Sequence, residues 1–155
     1  ALLTGILFSG TAVGQMGMDG PQPKVVYHVD YKGVRRFSAQ LTSIYNMVHH
    51  YRNLLVDYDV RIVANSFGVR FFTDNPLKDT PFEAGDALKE QREDLRGRIQ
   101  SLMDTYDVKV AICGITREQL GLAKDDFYDG VTFVESGVVE VAKLQQQGFA
   151  YIKAE

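Results

Sequence analysis

An α/β fold is predicted: a five-stranded, mainly parallel sheet with helices on both faces. Two observations carry that expectation. Short apolar runs of strand length alternate with amphipathic stretches of helical period, and the alternation repeats four times along the 155-residue chain. The runs are apolar at consecutive positions rather than at every second one, as in strands covered on both sides. Length suffices for one domain with a core. A hydrophobic content of 45% and a charged content of 24% are ordinary for a globular chain.

The first element reads "KVVYHVDY" (24–31), a strand in which Val25, Tyr27 and Val29 alternate with Val26 and His28. "KGVRR" turns the chain, and Ser38 is placed as the N-cap of a helix over 38–56. Leu41, Ile44, Tyr45, Val48, Arg52 and Leu55 recur there at helical spacing. "DVRIVANSFGVRFF" (59–72) reads as a second strand, broken at Asn65-Ser66-Phe67-Gly68. Residues 73–82, with Pro76 and Pro81, form a loop. A long helix follows from about 84 to 106 on Leu88, Leu95, Ile99, Leu102, Met103 and Tyr106; its charged first half faces solvent or another subunit.

"VKVAIC" (108–113) is the third strand. Thr116 with Gln119 three residues on resembles a capping box that opens a brief helix over 117–124. "GVTFVES" (130–136) is the fourth strand, "GVVEVAKLQQQG" a helix closed by Gly148, and "FAYIKA" (149–154) the fifth strand. The right-handed crossover rule leaves few ways to wind such a chain, and a flavodoxin-like sheet is the natural candidate.

In open parallel sheets, sites form at the carboxyl ends of the strands, near the point where strand order reverses. Distinctive residues fall at several tips: Asp30 and Tyr31, then Asn65 and Ser66, then Cys113. Cys113 is the only cysteine of the chain, so it forms no internal disulfide and no cysteine-based zinc site. A helix starting just beyond it would favour the thiolate. Gly114 is expected to leave room for an approaching partner, and Arg117 with Arg35 and Arg36 to add positive potential if the fold brings them near. Position alone leaves a second reading open, since a free cysteine in an apolar strand is commonly packing.

A formal charge of −3 and the lack of any lysine–arginine block argue against nucleic-acid binding. His28, His49 and His50 lack a metal-ligand pattern. The loop "DYKGVRR" has neither a Walker nor a GxGxxG pattern, no glycine- and threonine-rich flavin loop is present, and no G-x-S-x-G turn exists. Asp125 and Asp126 read as a solvated turn. No cofactor and no metal are therefore expected. The segment "ALLTGILFSGTAVGQ" (1–15) is uncharged and apolar like a signal peptide, yet too short to span a bilayer. It implies export to the periplasm. The alternative is an ordered apolar arm of a cytoplasmic chain, packed on the domain or on a partner. "MGMDGPQP" (16–23) is a linker.

Three of these segments carry a family resemblance over residues 24–155. "VRIVANSFGVRFF" resembles the second-strand segment of the DsrE/DsrF-like family, where a "V-A-H-G-x-x-V-x-F-L" type of run recurs. "VKVAICGITREQLGL" resembles that family's third strand, which ends in a cysteine before a short helix. "GVTFVESGVVEVAKLQQQGFAYIKAE" is similar to the C-terminus of the branch known as intracellular sulfur oxidation proteins. The resemblance implies a flavodoxin-like sheet assembled as trimers or hexamers. It implies a sulfur carrier or sulfurtransferase-type protein that holds a persulfide on the third-strand cysteine and exchanges it with a donor or acceptor protein, in sulfur oxidation or in the relay for tRNA thiolation. Only Cys113 matches that position. Asn65 and Ser66 stand where the family has His-Gly. Some members serve as structural partners, so a non-catalytic oligomeric assembly or ligand-binding module is the alternative.

Overall fold

The computed structural model describes residues 20–154. The leader-like segment 1–15 and the first half of the linker lie outside the described residues.

Five strands and four α-helices alternate: β1 (Lys24–Val29), α1 (Val34–Asn53), β2 (Asp59–Ala64), α2 (Asp86–Tyr106), β3 (Lys109–Cys113), α3 (Gly114–Gln119), β4 (Thr132–Val134), α4 (Gly137–Gln146) and β5 (Ala150–Ile152). The strand order is β4-β3-β2-β1-β5, and all four pairings are parallel. Strands are thus laid in one direction from β1 to β4, and α4 carries the chain back to place β5 on the free edge of β1.

The two faces differ in depth. Val25, Tyr27, Val29, Val60, Ile62, Ala64, Val110 and Ile112 pack against Phe37, Leu41, Ile44 and Val48 of α1 and Leu88, Leu95, Ile99 and Leu102 of α2. The alternate positions Val26 and Val63 meet Val141 and Leu144 of α4 and Phe149. Strict alternation sorts the apolar run of each strand into these two sets. Among the described residues, no helix is long and apolar enough to cross a membrane.

Several boundaries differ from the sequence expectation: α1 ends at Asn53 and leaves Leu55 exposed, α3 ends at Gln119, and β4 and β5 are three residues each. Three further differences have a packing reason. Helix α1 starts at Val34, with Gly33 as its N-cap, rather than at Ser38. Buried Val34 and Phe37 extend the apolar stripe one turn further back, and Arg35 and Arg36 become helical. Ser38 instead accepts Arg98 of α2 on both its hydroxyl and its carbonyl, each at 2.7 Å.

The second strand ends at Ala64, and Ser66–Phe72 form a 3-10 helix rather than more strand. Val69, Phe71 and Phe72 are buried there, and Phe71 stacks on Phe37 at 4.2 Å. The apolar pattern of "GVRFF" reports core burial, not strand geometry. Buried Arg70 donates to the carbonyls of Lys32 and Glu83, both at 3.1 Å, which ties down the loop before α2.

The third difference falls at the site. Helix α3 begins at Gly114, so Cys113 itself is the N-cap and Thr116 lies inside the helix. Beyond α4, by contrast, Gly148 takes a φ of +89°, as a helix-ending glycine should.

The tight turn after β2 gives a stability prediction. A Cβ at Gly68 would lie 2.0 Å from the carbonyl oxygen of Val29. Because that neighbour is backbone, it cannot swing aside. Gly68→Ala is expected to destabilise the fold by about 3 kcal/mol, read as a lowered urea midpoint at unchanged slope.

Candidate functional site

Parallel pairing aligns the carboxyl ends of the strands. Ala64 pairs with Ile112 and Cys113 with Val134, so Asn65, one residue beyond β2, stands beside Cys113, the last residue of β3. Alternation puts Cys113 on the face of Ala111, the side covered by α4. Gly137, the first residue of α4, lies over both: a Cβ there would be 2.9 Å from the Asn65 Cβ and 3.2 Å from the Cys113 Cβ. Only glycine lets the helix start so close to the sulfur. Cys113 is 5% exposed. A shallow cleft of about 280 Å³, lined by Ile115, Glu135, Ser136, Val139 and Lys143, flanks the starts of α3 and α4.

The surroundings of the sulfur are polar. Burial pushes the thiol pKa up, but several donors outweigh it and hold the group below its ordinary value. These are the backbone N–H groups of Thr116 and Gly137, the Thr116 hydroxyl and the N–H of Ile115. Cys113 makes no close side-chain capping bond within α3, so these donors act as a converging field around the sulfur. The Thr116 hydroxyl accepts the N–H of Ser66 at 3.0 Å, which turns its own proton toward the sulfur. Ser66 holds a left-handed φ of +50° at that point. Glycine takes such a conformation freely, which fits the glycine of the resembled motif at this position.

Asn65 and Ser66 adjoin the thiol through Gly137 and Thr116, and the other candidates scatter. Asn65 Oδ1 lies 2.6 Å from His28 Nε2. Asp30 pairs with Lys153 at 2.8 Å, at the tips of β1 and β5. Gly114 packs closely against the end of β4, where a Cβ would meet the Val134 carbonyl at 2.8 Å. Arg117 donates to the Leu122 carbonyl at 2.7 Å and pairs with Glu118, so its charge closes the end of α3. Arg35 is exposed on α1, and Arg36 lies 4.0 Å over the Tyr31 ring. The thiol shift arises from N–H and O–H donors, with no guanidinium among its causes.

Sequence reasoning missed Gly137, the hydroxyl role of Thr116 and the pair His28–Tyr151. His28 is 8% exposed, with Nδ1 at 2.9 Å from the Tyr151 hydroxyl. One signal was present: His28 is the single polar side chain in the interior of an otherwise apolar and aromatic strand. Among the described residues, no three His, Cys, Asp or Glu side chains cluster as a metal site. A larger concavity of about 870 Å³ lies between α1 and α2, lined by Tyr45, Glu90, Glu93, Asp94 and Arg98, on the opposite face of the sheet from the thiol.

Comparison with known proteins agrees with this architecture. A model of the DsrE/DsrF-like family matches residues 25–154, and the chain belongs to that family. Membership points to a role in sulfur metabolism. Among solved structures, a protein of unknown function from Methanobacterium thermoautotrophicum, MTH1491, is similar with a TM-score of 0.65 at 23% identity. The match covers 85% of this chain and 99% of that one. It establishes the fold: an α/β protein with an all-parallel five-stranded sheet. No curated protein matches the sequence.

The donor set makes the thiol's acidity testable. Thr116→Val removes the hydroxyl donor, so the midpoint of iodoacetamide labelling against pH is expected to move up. The linkage has a definite sign. With the native thiol held below its ordinary value, the unfolded chain binds more protons in the window between the two, so stability rises with pH there and falls as pH drops through the native value. Cys113→Ser should flatten that slope in urea melts across the window.

Proposed function

We propose that this protein carries sulfane sulfur on Cys113 as a persulfide and delivers it to a thiol on another molecule. The observation that carries the reading is the ring of donors that lowers the thiol pKa against the opposing effect of burial. The thiolate is the reactive form in sulfur exchange. In loading, the Cys113 thiolate attacks the outer sulfur of a donor persulfide. One S–S bond forms on Cys113 as the donor's S–S bond breaks, and the electron pair leaves on the donor sulfur as a thiolate. Delivery is the same exchange with an acceptor thiolate attacking. Neither step needs a metal, an organic cofactor or an external oxidant. The chain holds no second cysteine, so each partner thiol comes from elsewhere.

A second reading, a non-catalytic assembly or ligand-binding module, draws on one observation. Cys113 is nearly enclosed, while Ile115 and Val138 beside it are 49% and 59% exposed. Those apolar side chains suit a contact with another subunit, in line with the trimers or hexamers that the resemblance implies.

The experiment that separates the two is intact-mass analysis after incubation with glutathione persulfide. The carrier reading expects a gain of one sulfur atom, reversed by excess thiol and lost in Cys113→Ser. An unmodified wild-type protein, with a thiol that iodoacetamide reaches only after unfolding, would leave the module reading standing.

A further inference from the structure

His28 is buried on the sheet face that it shares with Val26 and Val63, and the described contacts engage both of its ring nitrogens. An imidazole among valines costs free energy unless both nitrogens find partners. An amide oxygen only accepts, so Nε2 carries the proton that Asn65 Oδ1 receives at 2.6 Å. In the neutral ring this leaves Nδ1 to accept the Tyr151 hydroxyl at 2.9 Å. Strand β2 lies between β1 and β3. With Oδ1 engaged by His28 on β1, the NH₂ group is the remaining donor of the planar amide, and Cys113 on β3 stands on the other side of β2. Asn65 is packed against Gly137, which also touches Cys113.

This arrangement answers a need that persulfide loading creates. The donors at Thr116 and Gly137 face the cysteine sulfur itself. Once loaded, the negative charge sits on the outer sulfur, about 2 Å further out along the new S–S bond. An anion in a nearly enclosed site is stabilised only by a donor that reaches its new position. We infer that Asn65 donates from its NH₂ group to the outer sulfur of the Cys113 persulfide, and that His28 is the positioning residue that holds the amide in this orientation. The inference rests on the persulfide reading above. It makes Asn65 a sulfur-binding residue that discriminates the loaded from the empty state.

The test uses the full chain, with glutathione persulfide at a fixed ratio to glutathione as the sulfur source. Two quantities are read: the loaded-to-empty ratio by intact mass, and the pH midpoint of iodoacetamide labelling of the empty thiol. Asn65→Ala and His28→Phe are each expected to lower the loaded-to-empty ratio about tenfold, the worth of one charge-assisted hydrogen bond. Both are expected to leave the labelling midpoint of the empty thiol at the wild-type value, a split that a merely structural role would not produce. Wild-type loading with either variant equal to it would overturn the inference and leave the persulfide reading intact. Variants that shift both readouts together would overturn it too. A wild-type protein that takes up no sulfur would overturn both. If His28→Phe fails to fold, Asn65→Ala decides alone, since Asn65 lies at the strand tip outside both apolar clusters.

Discussion

The parallel register of β1, β2, β3 and β4 is the constraint from which the whole site follows. Val29 pairs with Ala64, Ala64 with Ile112 and Cys113 with Val134. The next residues of the first three strands therefore fall together at one edge. A slip of one residue in β3 would turn Cys113 from the α4 side into the α1–α2 side and replace it with Ile112. What prevents the slip is the sorting of Val110 and Ile112 to the deep core and Ala111 to the shallow one. Register also fixes where α4 can begin. The helix returns across the sheet with Val141 and Leu144 on Val26 and Val63, which lands Gly137 between Asn65 and Cys113.

Burial and polarity act on the sulfur in opposite directions, and the balance depends on local backbone. Enclosure alone would make Cys113 an inert thiol, as free cysteines in cores are. Here the two helix starts turn their N–H groups inward, and Ser66 orients the Thr116 hydroxyl. The left-handed φ of Ser66 carries a modest backbone cost for a residue with a Cβ. That cost belongs to the same geometry that points its N–H at Thr116. A cation would lower the thiol pKa too, but it would attract any anionic sulfur species without fixing its direction. Oriented N–H groups are more selective because they act at one point.

The architecture was legible because strand–helix alternation and apolar runs are local signals that tertiary packing seldom overrides. The placement of Cys113 at a strand tip was legible for the same reason. What escaped was everything that depends on two distant segments meeting. Gly137 looks like an ordinary first helical residue until α4 is seen to cross β3. Tyr151 and His28 are 123 positions apart and become neighbours only because β5 joins the sheet beside β1. Thr116 misled outright. Its spacing to Gln119 fits a capping box, yet the chain turns from strand to helix so sharply that Cys113 takes the cap position and Thr116 is drawn inward to Ser66. Arg117 carries the matching lesson for charge, since sequence proximity to the sulfur does not aim a guanidinium that the Leu122 carbonyl already holds.

The donor ring also bears on the direction of sulfur flow in the proposed carrier. A lowered thiol pKa raises the thiolate fraction but lowers the nucleophilicity of each thiolate, so its gain in loading is partial. In delivery the effect is undivided. The acceptor attacks the outer sulfur and the Cys113 sulfur departs as a thiolate, into the N–H groups of Thr116 and Gly137 that already face it. Leaving groups of lower pKa depart faster. In the proposed carrier, the same groups would make Cys113 a moderate sulfur acceptor and its persulfide a good donor, provided the acceptor thiol comes in from the side away from the two helix starts.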